Sequence, residues 1–226
     1  MKCKICKAEA VVALRSHNAA FCPDCYKTFF SRQVARGIEG QKLFTRDERV
    51  RVALSGGKIK RHFFNKVALD EGFDALATGH NLDDEVARLF SNTLRWDTAY
   101  LSDQGPLLDS EHGFSRKVKP LWRLSEFETA NYAFLMGIEN HYAPCPYSPG
   151  ASFTTLKGLM QNLEAAMPGR KLDFYQGFLA RGRPVFARRE AEEGLELAPC
   201  TLCGYPTSSG ETCGVCRIRA ALQGEG

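Results

Sequence analysis

No apolar run in the 226-residue sequence approaches the length of a bilayer span. The N-terminus, MKCKICKAEA, has none of the apolar core that a secretory leader carries. Both absences point to a cytoplasmic protein with no membrane partner. The excess of basic over acidic residues is small too, with a net charge of +4 and a pI near 8.6. That permits a nucleic-acid partner but falls short of the pI above ~9 of a dedicated nucleic-acid domain. A Walker-type phosphate loop is missing, as is any low-complexity stretch. What remains is an ordinary globular mix, 44% hydrophobic and 25% charged, long enough for one good-sized domain with small appendages.

Cysteine is the abundant exception. Eight of the nine cysteines fall into four C-x-x-C pairs, and Cys145 is left over. Cys3, Cys6, Cys22 and Cys25 form one four-thiol set, and Cys200, Cys203, Cys213 and Cys216 form another. In a reducing compartment this spacing reads as metal rather than disulfide. Four thiolates suit tetrahedral zinc and leave no open coordination position, so both knuckles are expected to be structural. An iron centre or a redox dithiol is the alternative. Lys2, Lys4, Lys7, Arg15, Lys27 and Arg32 near the first knuckle, and Arg217 and Arg219 after the second, suit RNA or a plain solvated face.

Between the knuckles the pattern is α/β. Arg49 to Leu54 alternates as a half-buried strand and runs into Ser55-Gly56-Gly57-Lys58. Such a turn exposes backbone N–H groups that hold phosphate, although glycine pairs also occur in plain turns. Ile59 to Leu69 has helical spacing. Phe73 to Gly79 reads as a buried strand, and His80-Asn81-Leu82-Asp83-Asp84 opens a helix with Leu82, Val86, Leu89 and Phe90 inward. Two carboxylates at a strand's carboxyl end suit magnesium on phosphates, or complement the helix dipole. Ser125 and Glu128 form a capping box, followed by an apolar face of Phe127, Ala130, Phe134, Leu135 and Ile138. A second apolar face runs through Phe153, Leu156, Leu159, Met160 and Leu163. Cys145 lies in a proline-rich loop, either as a packing thiol or as a ligand or nucleophile.

The order of knuckle, strand plus Ser-Gly-Gly, ATGHNLDDEVA, CPYS loop and second knuckle resembles the tRNA 2-thiouridine synthetases of the TtuA/NcsA kind, within the PP-loop ATPases. That resemblance implies a parallel sheet with helices on both faces, flanked by two zinc knuckles. Its divisions would be 1–30, 31–195 and 196–226. It implies that Ser55, Gly56, Gly57 and Lys58, with Gly79 and His80, bind ATP, and that Asp83 and Asp84 sit at the ATP and magnesium site. Lys60 would face the nucleotide as a catalytic lysine. Cys145 would be the third thiolate of a catalytic 4Fe–4S cluster. The enzyme would adenylate the C2 oxygen of a tRNA uridine, after which sulfur displaces AMP. The sulfur donor would be a ubiquitin-like thiocarboxylate carrier, a persulfide or sulfide, and the assembly a homodimer.

The sequence departs from this pattern between Lys58 and Ile59. PP-loop enzymes read SGGxDS, and here the Asp and second Ser are missing, along with the C-x-x-C that supplies the other two cluster thiolates. The fold argument agrees, since one further βα unit is too little for a covered sheet. The expectation is that about two βα units, on the order of 60–80 residues, are absent at this point. A chain truly continuous there should fail in cluster assembly and ATP turnover. Competing readings are a non-catalytic zinc-knuckle RNA-binding protein, another PP-loop ligase, and a redox or metal sensor.

Overall fold

In a computed structural model the described residues are 1–53, 58–111, 113–139, 152–187, 197–207 and 210–224. Ser55, Gly56, Gly57 and Cys145 lie outside them, and of Lys58 only the helical backbone is described.

The chain opens with an antiparallel hairpin, β1 (Val12–Leu14) and β2 (Ala19–Phe21). A 3-10 turn joins them and ends on Asn18 in the left-handed region, which asparagine tolerates. Helix α1 (Pro23–Gln41) starts on Cys22, with Pro23 in the first turn, where its missing N–H costs nothing. Val12, Leu14, Phe21 and Tyr26 form a small core of their own.

The main body is β3 (Val50–Ala53), α2 (Lys58–Asp70), β4 (Ala75–Thr78), α3 (Leu82–Arg95), α4 (Thr98–Ser102), β5 (Leu107–Leu108), β6 (Lys117–Val118) and α5 (Glu126–Leu135). Then come α6 (Ser152–Ala166) and α7 (Arg170–Gly177), the latter passing into a π-helical turn at Phe178–Gly182. A short hairpin, β7 (Ala198–Pro199) with β8 (Pro206–Thr207), and a helix, α8 (Gly214–Gln223), complete it. The sheet order is β3-β4-β6-β5, with β3, β4 and β6 parallel and β5 antiparallel.

Strand alternation splits β4 between two cores. Ala75 and Ala77 join Leu82, Val86, Leu89, Met160 and Tyr175 on one face, and Leu76 meets Ala53 and Ala68 on the other. Helix α2 therefore covers one face, and α3, α6 and α7 the other. This is the expected α/β arrangement with helices on both sides. The outer edge of β3 has no strand partner among the described residues, and Val52 is 70% exposed there. A parallel strand is normally covered on both faces, so this edge is unfinished.

Of the two apolar faces read from the sequence, that of α5 faces mostly outward and that of α6 is only partly buried. Phe134 is 79% exposed and Phe127 59%, while Glu128 is the buried residue of α5. The Glu128 carboxylate closes the capping box on Ser125 and takes His17 Nε2 at 3.0 Å. Burying that polar knot turns the hydrophobic stripe to the surface. On α6, Met160 is buried but Leu159 is half exposed.

The first turn of α3 is pinned by three lysines. Lys171 Nζ lies 2.6 Å from Asp83, Lys157 Nζ 2.7 Å from Asp84, and Lys119 Nζ 2.8 Å from Glu85. Tyr175 donates its hydroxyl to the same Glu85 oxygen at 2.6 Å. Among the described residues no helix is long and apolar enough to cross a membrane.

Candidate functional site

Each cysteine set closes on itself. The four Sγ atoms of Cys3, Cys6, Cys22 and Cys25 all lie within 4.8 Å of one another, as do those of Cys200, Cys203, Cys213 and Cys216. Cys6 and Cys22 stand 3.5 Å apart, and Cys203 and Cys213 3.8 Å. Tetrahedral zinc with bonds of about 2.3 Å sets its sulfurs about 3.8 Å apart, so both sets fit a tetrahedral metal. The electrostatics agree. Burial raises the Cys3 thiol pKa, but the N–H groups of Cys22, Cys6 and Ile5 outweigh it and hold it at about 6. The Cys213 N–H, 3.2 Å from Cys200 Sγ, does the same for Cys200, also at about 6. The Cys22 thiol pushes Cys25 up to about 12, and burial pushes Cys216 up to about 12. Four thiols this close cannot all ionise without a cation between them.

A cavity of about 530 Å³ opens at the carboxyl ends of β3, β4 and β6, where open α/β sheets place ligands. Ala53 from β3 and Thr78 from β4 form its floor, with Gly79, His80 and Asp84 beyond. His80 Nδ1 meets Thr78 Oγ1 at 2.8 Å. Burial, followed by the nearby Lys119 ammonium, lowers the His80 pKa and keeps the ring neutral at pH 7. Asp84 is the third residue of α3. Its Oδ2 accepts the Asn81 N–H and its Oδ1 faces Lys157. It is thus both a helix-capping acid and a carboxylate at the cavity wall.

Beside apolar and neutral residues such as Phe64, Leu76 and Asn92, the wall carries a group of cations that sequence reading missed. Arg61 from α2, Arg88 from α3, and Lys117 and Lys119 from β6 and the residues after it converge here. Lys119 is neutralised by Glu85. Arg61, Arg88 and Lys117 form no ion pair among the described residues, and with Asp84 and Asp103 the acids remaining on the lining, the cavity keeps a small positive excess. Burial, with Lys119, Arg61 and Arg88 around it, lowers the Lys117 pKa. Such a concentration of unpaired charge suits a polyanion. The sequence held a signal. Lys117 and Lys119 are spaced by the two-residue period of an extended chain, which puts them on one face, and Arg88 sits one turn beyond Asp84.

Two expected residues stand elsewhere. Asp83 is 2% exposed, locked to Lys171, and lines a second cavity of about 520 Å³ beside His17 and Glu128. Its geometry suits a buried ion pair rather than a magnesium ligand. Lys60 is exposed and outside the cavity wall, where its neighbour Arg61 lies instead. Successive helical residues point about 100° apart, so only one of them faces the site.

Comparison with known proteins bears on these features. Residues 2–27 match the family model described as the N-terminal LIM domain of 2-thiouridine synthetase TtuA. The chain is 32% identical to the tRNA-5-methyluridine(54) 2-sulfurtransferase of Pyrococcus horikoshii, over 96% of this chain and 93% of that protein. It is 32% identical to the enzyme of the same description from Thermus thermophilus, over 98% and 92%. The alignment to the Pyrococcus protein runs over 293 residues, more than this chain contains, so that protein carries residues with no counterpart here. A solved structure, the U34-tRNA thiolase NcsA from Methanococcus maripaludis with its 4Fe–4S cluster, shares the fold. Its TM-score is 0.74 at 22% identity, covering 98% of this chain and 96% of that one.

Proposed function

The chain belongs to the tRNA 2-thiouridine sulfurtransferase family, and from that premise we propose that its cationic cavity is the ATP site of a tRNA thiolation reaction. The observation that carries this reading is the convergence of Arg61, Arg88 and Lys117 at the strand ends, directly beyond Ala53. Ser55, Gly56 and Gly57 follow Ala53 in the sequence and would add backbone N–H groups to the phosphates. Asp84 is the carboxylate for magnesium, using the lone pairs that Asn81 and Lys157 leave.

The chemistry explains the need for ATP. The C2 oxygen of uridine is a poor leaving group. That oxygen attacks the α-phosphorus, pyrophosphate departs, and the N3 proton is lost. Sulfide then adds at C2, AMP leaves with the former C2 oxygen, and N3 regains a proton. The positive wall stabilises charge on the departing pyrophosphate. AMP serves as the good leaving group in the second step.

Zinc fits both cysteine sets and supplies fold stability there. A 4Fe–4S cluster fits less well. Eight of the nine cysteines belong to the knuckles, and Cys145 alone cannot supply three thiolates. We place the residues that the Pyrococcus relative carries in excess between Lys58 and Ile59, beside the uncovered edge of β3. The substrate is tRNA, with the T loop as the target. The sulfur donor is sulfide or a thiocarboxylate carrier, and the body works as a homodimer. Incubation with ATP, magnesium, sulfide and unmodified tRNA tests the reading. With the residues missing between Lys58 and Ile59 restored, AMP release that depends on tRNA, with 2-thiouridine in the digested RNA, is the expected result, and the continuous chain should show neither. Tight tRNA binding without AMP release would instead favour a non-catalytic RNA-binding protein.

A further inference from the structure

The C-terminal knuckle touches the body at α2. The Tyr205 ring packs on the His62 ring with centroids 4.2 Å apart, and on Phe114 at 5.4 Å. Tyr205 is part of the knuckle itself, since its carbonyl accepts the Cys200 N–H at 2.9 Å. Next to it, Pro206 lies against Gly113. A Cβ on Gly113 would meet the Pro206 ring at 3.0 Å, and its φ of +81° also favours glycine. Asn65, one turn beyond His62, donates to the Gly113 carbonyl at 3.2 Å and accepts the Ser115 N–H at 2.8 Å. His62 and Asn65 thus form the outer side of α2, held by the knuckle and the 113–115 segment. The inner side carries Arg61 and Phe64, which line the cavity, and Ala68, which packs on Leu76.

The N-terminal knuckle has different neighbours. Phe30 stacks on Tyr132 at 3.9 Å, and the Tyr26 hydroxyl donates to the Glu128 carbonyl. Those contacts reach α5 and the second cavity. Every described residue lining the cationic cavity comes from position 53 or later.

We infer that the C-terminal knuckle positions the nucleotide cavity, through the Tyr205–His62 stack that sets the first turns of α2, and that the N-terminal knuckle has no part in this. Tyr205 and His62 are positioning residues, because Arg61 is the group that meets the anion. The inference rests on the nucleotide reading of the cavity. It makes the two metal sites unequal, so that one shapes the reaction site and the other packs on α5. His62 Nδ1 is buried without a hydrogen-bond partner among the described residues. Burial, with Lys66 and Arg219 nearby, lowers its pKa. A neutral ring against Tyr205 is therefore the resting state of the contact.

The test uses the full chain and N-methylanthraniloyl-ATP as the probe. Tyr205→Ala and His62→Ala should each weaken binding by about threefold to tenfold, the size of a lost aromatic pair. Tyr205→Phe should restore it to within about twofold, because the ring contact survives. Zinc content should stay at wild-type level in His62→Ala, which leaves the knuckle untouched. Amide exchange across residues 60–70 should quicken in both alanine variants and in Cys213→Ser, but not in Cys22→Ser. Unchanged exchange in α2 with His62→Ala would overturn the inference, as would equal effects of Cys22→Ser and Cys213→Ser. A wild-type chain that does not bind the probe would sink the nucleotide reading. The exchange data would still decide whether the knuckle supports α2.

Discussion

Replacing Lys119 by Met offers the sharpest check on the interior of this protein. Lys119 Nζ lies 2.8 Å from Glu85 Oε2, and the Tyr175 hydroxyl donates to the same oxygen. Glu85 Oε1 has no partner among the described residues, and both charged side chains are almost wholly buried. The substitution leaves a buried carboxylate with one neutral donor. Breaking a buried pair in this way costs about 3–5 kcal/mol. For a chain of this size each kcal/mol lowers Tm by about 2–4 °C, so a drop on the order of 6–20 °C is expected. Urea unfolding gives the free energy directly, with Trp122 as a natural reporter because its ring centre lies 5.8 Å from that of Tyr175. Removing both charges together, as Lys119→Met with Glu85→Met, should recover part of the loss, the remainder being the Tyr175 hydroxyl left without its acceptor. A single-variant cost below about 1 kcal/mol, as for an exposed pair, would refute the burial of this network.

Other outcomes follow from the same geometry. Arg88→Gln and Lys117→Met should each weaken binding of an ATP analogue by about tenfold or more, the worth of a charge-assisted hydrogen bond, read by fluorescence titration. Asn65→Ala should cost about 1–3 kcal/mol in urea unfolding, because the Ser115 N–H loses its acceptor. The Arg116 guanidinium beside Glu48 holds its carboxyl below the usual range. That contribution is fully present above the unfolded value of about 4.3 and is lost as pH falls through the lowered folded one. Glu48→Gln should therefore destabilise the protein at pH 7 and be neutral near pH 2, as read by pH-dependent unfolding. Phe134→Ser should change stability by no more than about 0.5 kcal/mol, because that ring already faces solvent.

What could be read from the sequence was what local spacing controls. Leu82, Val86 and Leu89 repeat with the helical period and are buried. Ser125 and Glu128 make both capping-box hydrogen bonds. The cysteine pairs gather into two sets. What could not be read depends on encounters between distant segments. The stripe of Phe127 and Phe134 has the period of a core face, but periodicity does not say which side of a helix a neighbour will cover. Glu128 went inward because His17, 111 residues away, met its carboxylate. The cationic wall was hidden for the same reason, since Arg61, Arg88 and Lys117 come from three separate elements. Lys60 and Arg61 differ by one position, and only the packing of α2 decides which of them faces the site.

The three consecutive acids of α3 carry a further consequence. Asp83, Asp84 and Glu85 leave the helix in three directions, and each is taken by a lysine from a different part of the chain, at positions 171, 157 and 119. The three matches hold only in one rotational setting of the helix. Inserting or deleting one residue before Leu82 would turn the helix by about 100° and present every acid to the wrong lysine at once. This turn should therefore tolerate many single substitutions on its surface and almost no change in length, so that a library of one-residue insertions would show a sharp gap at positions 79–85.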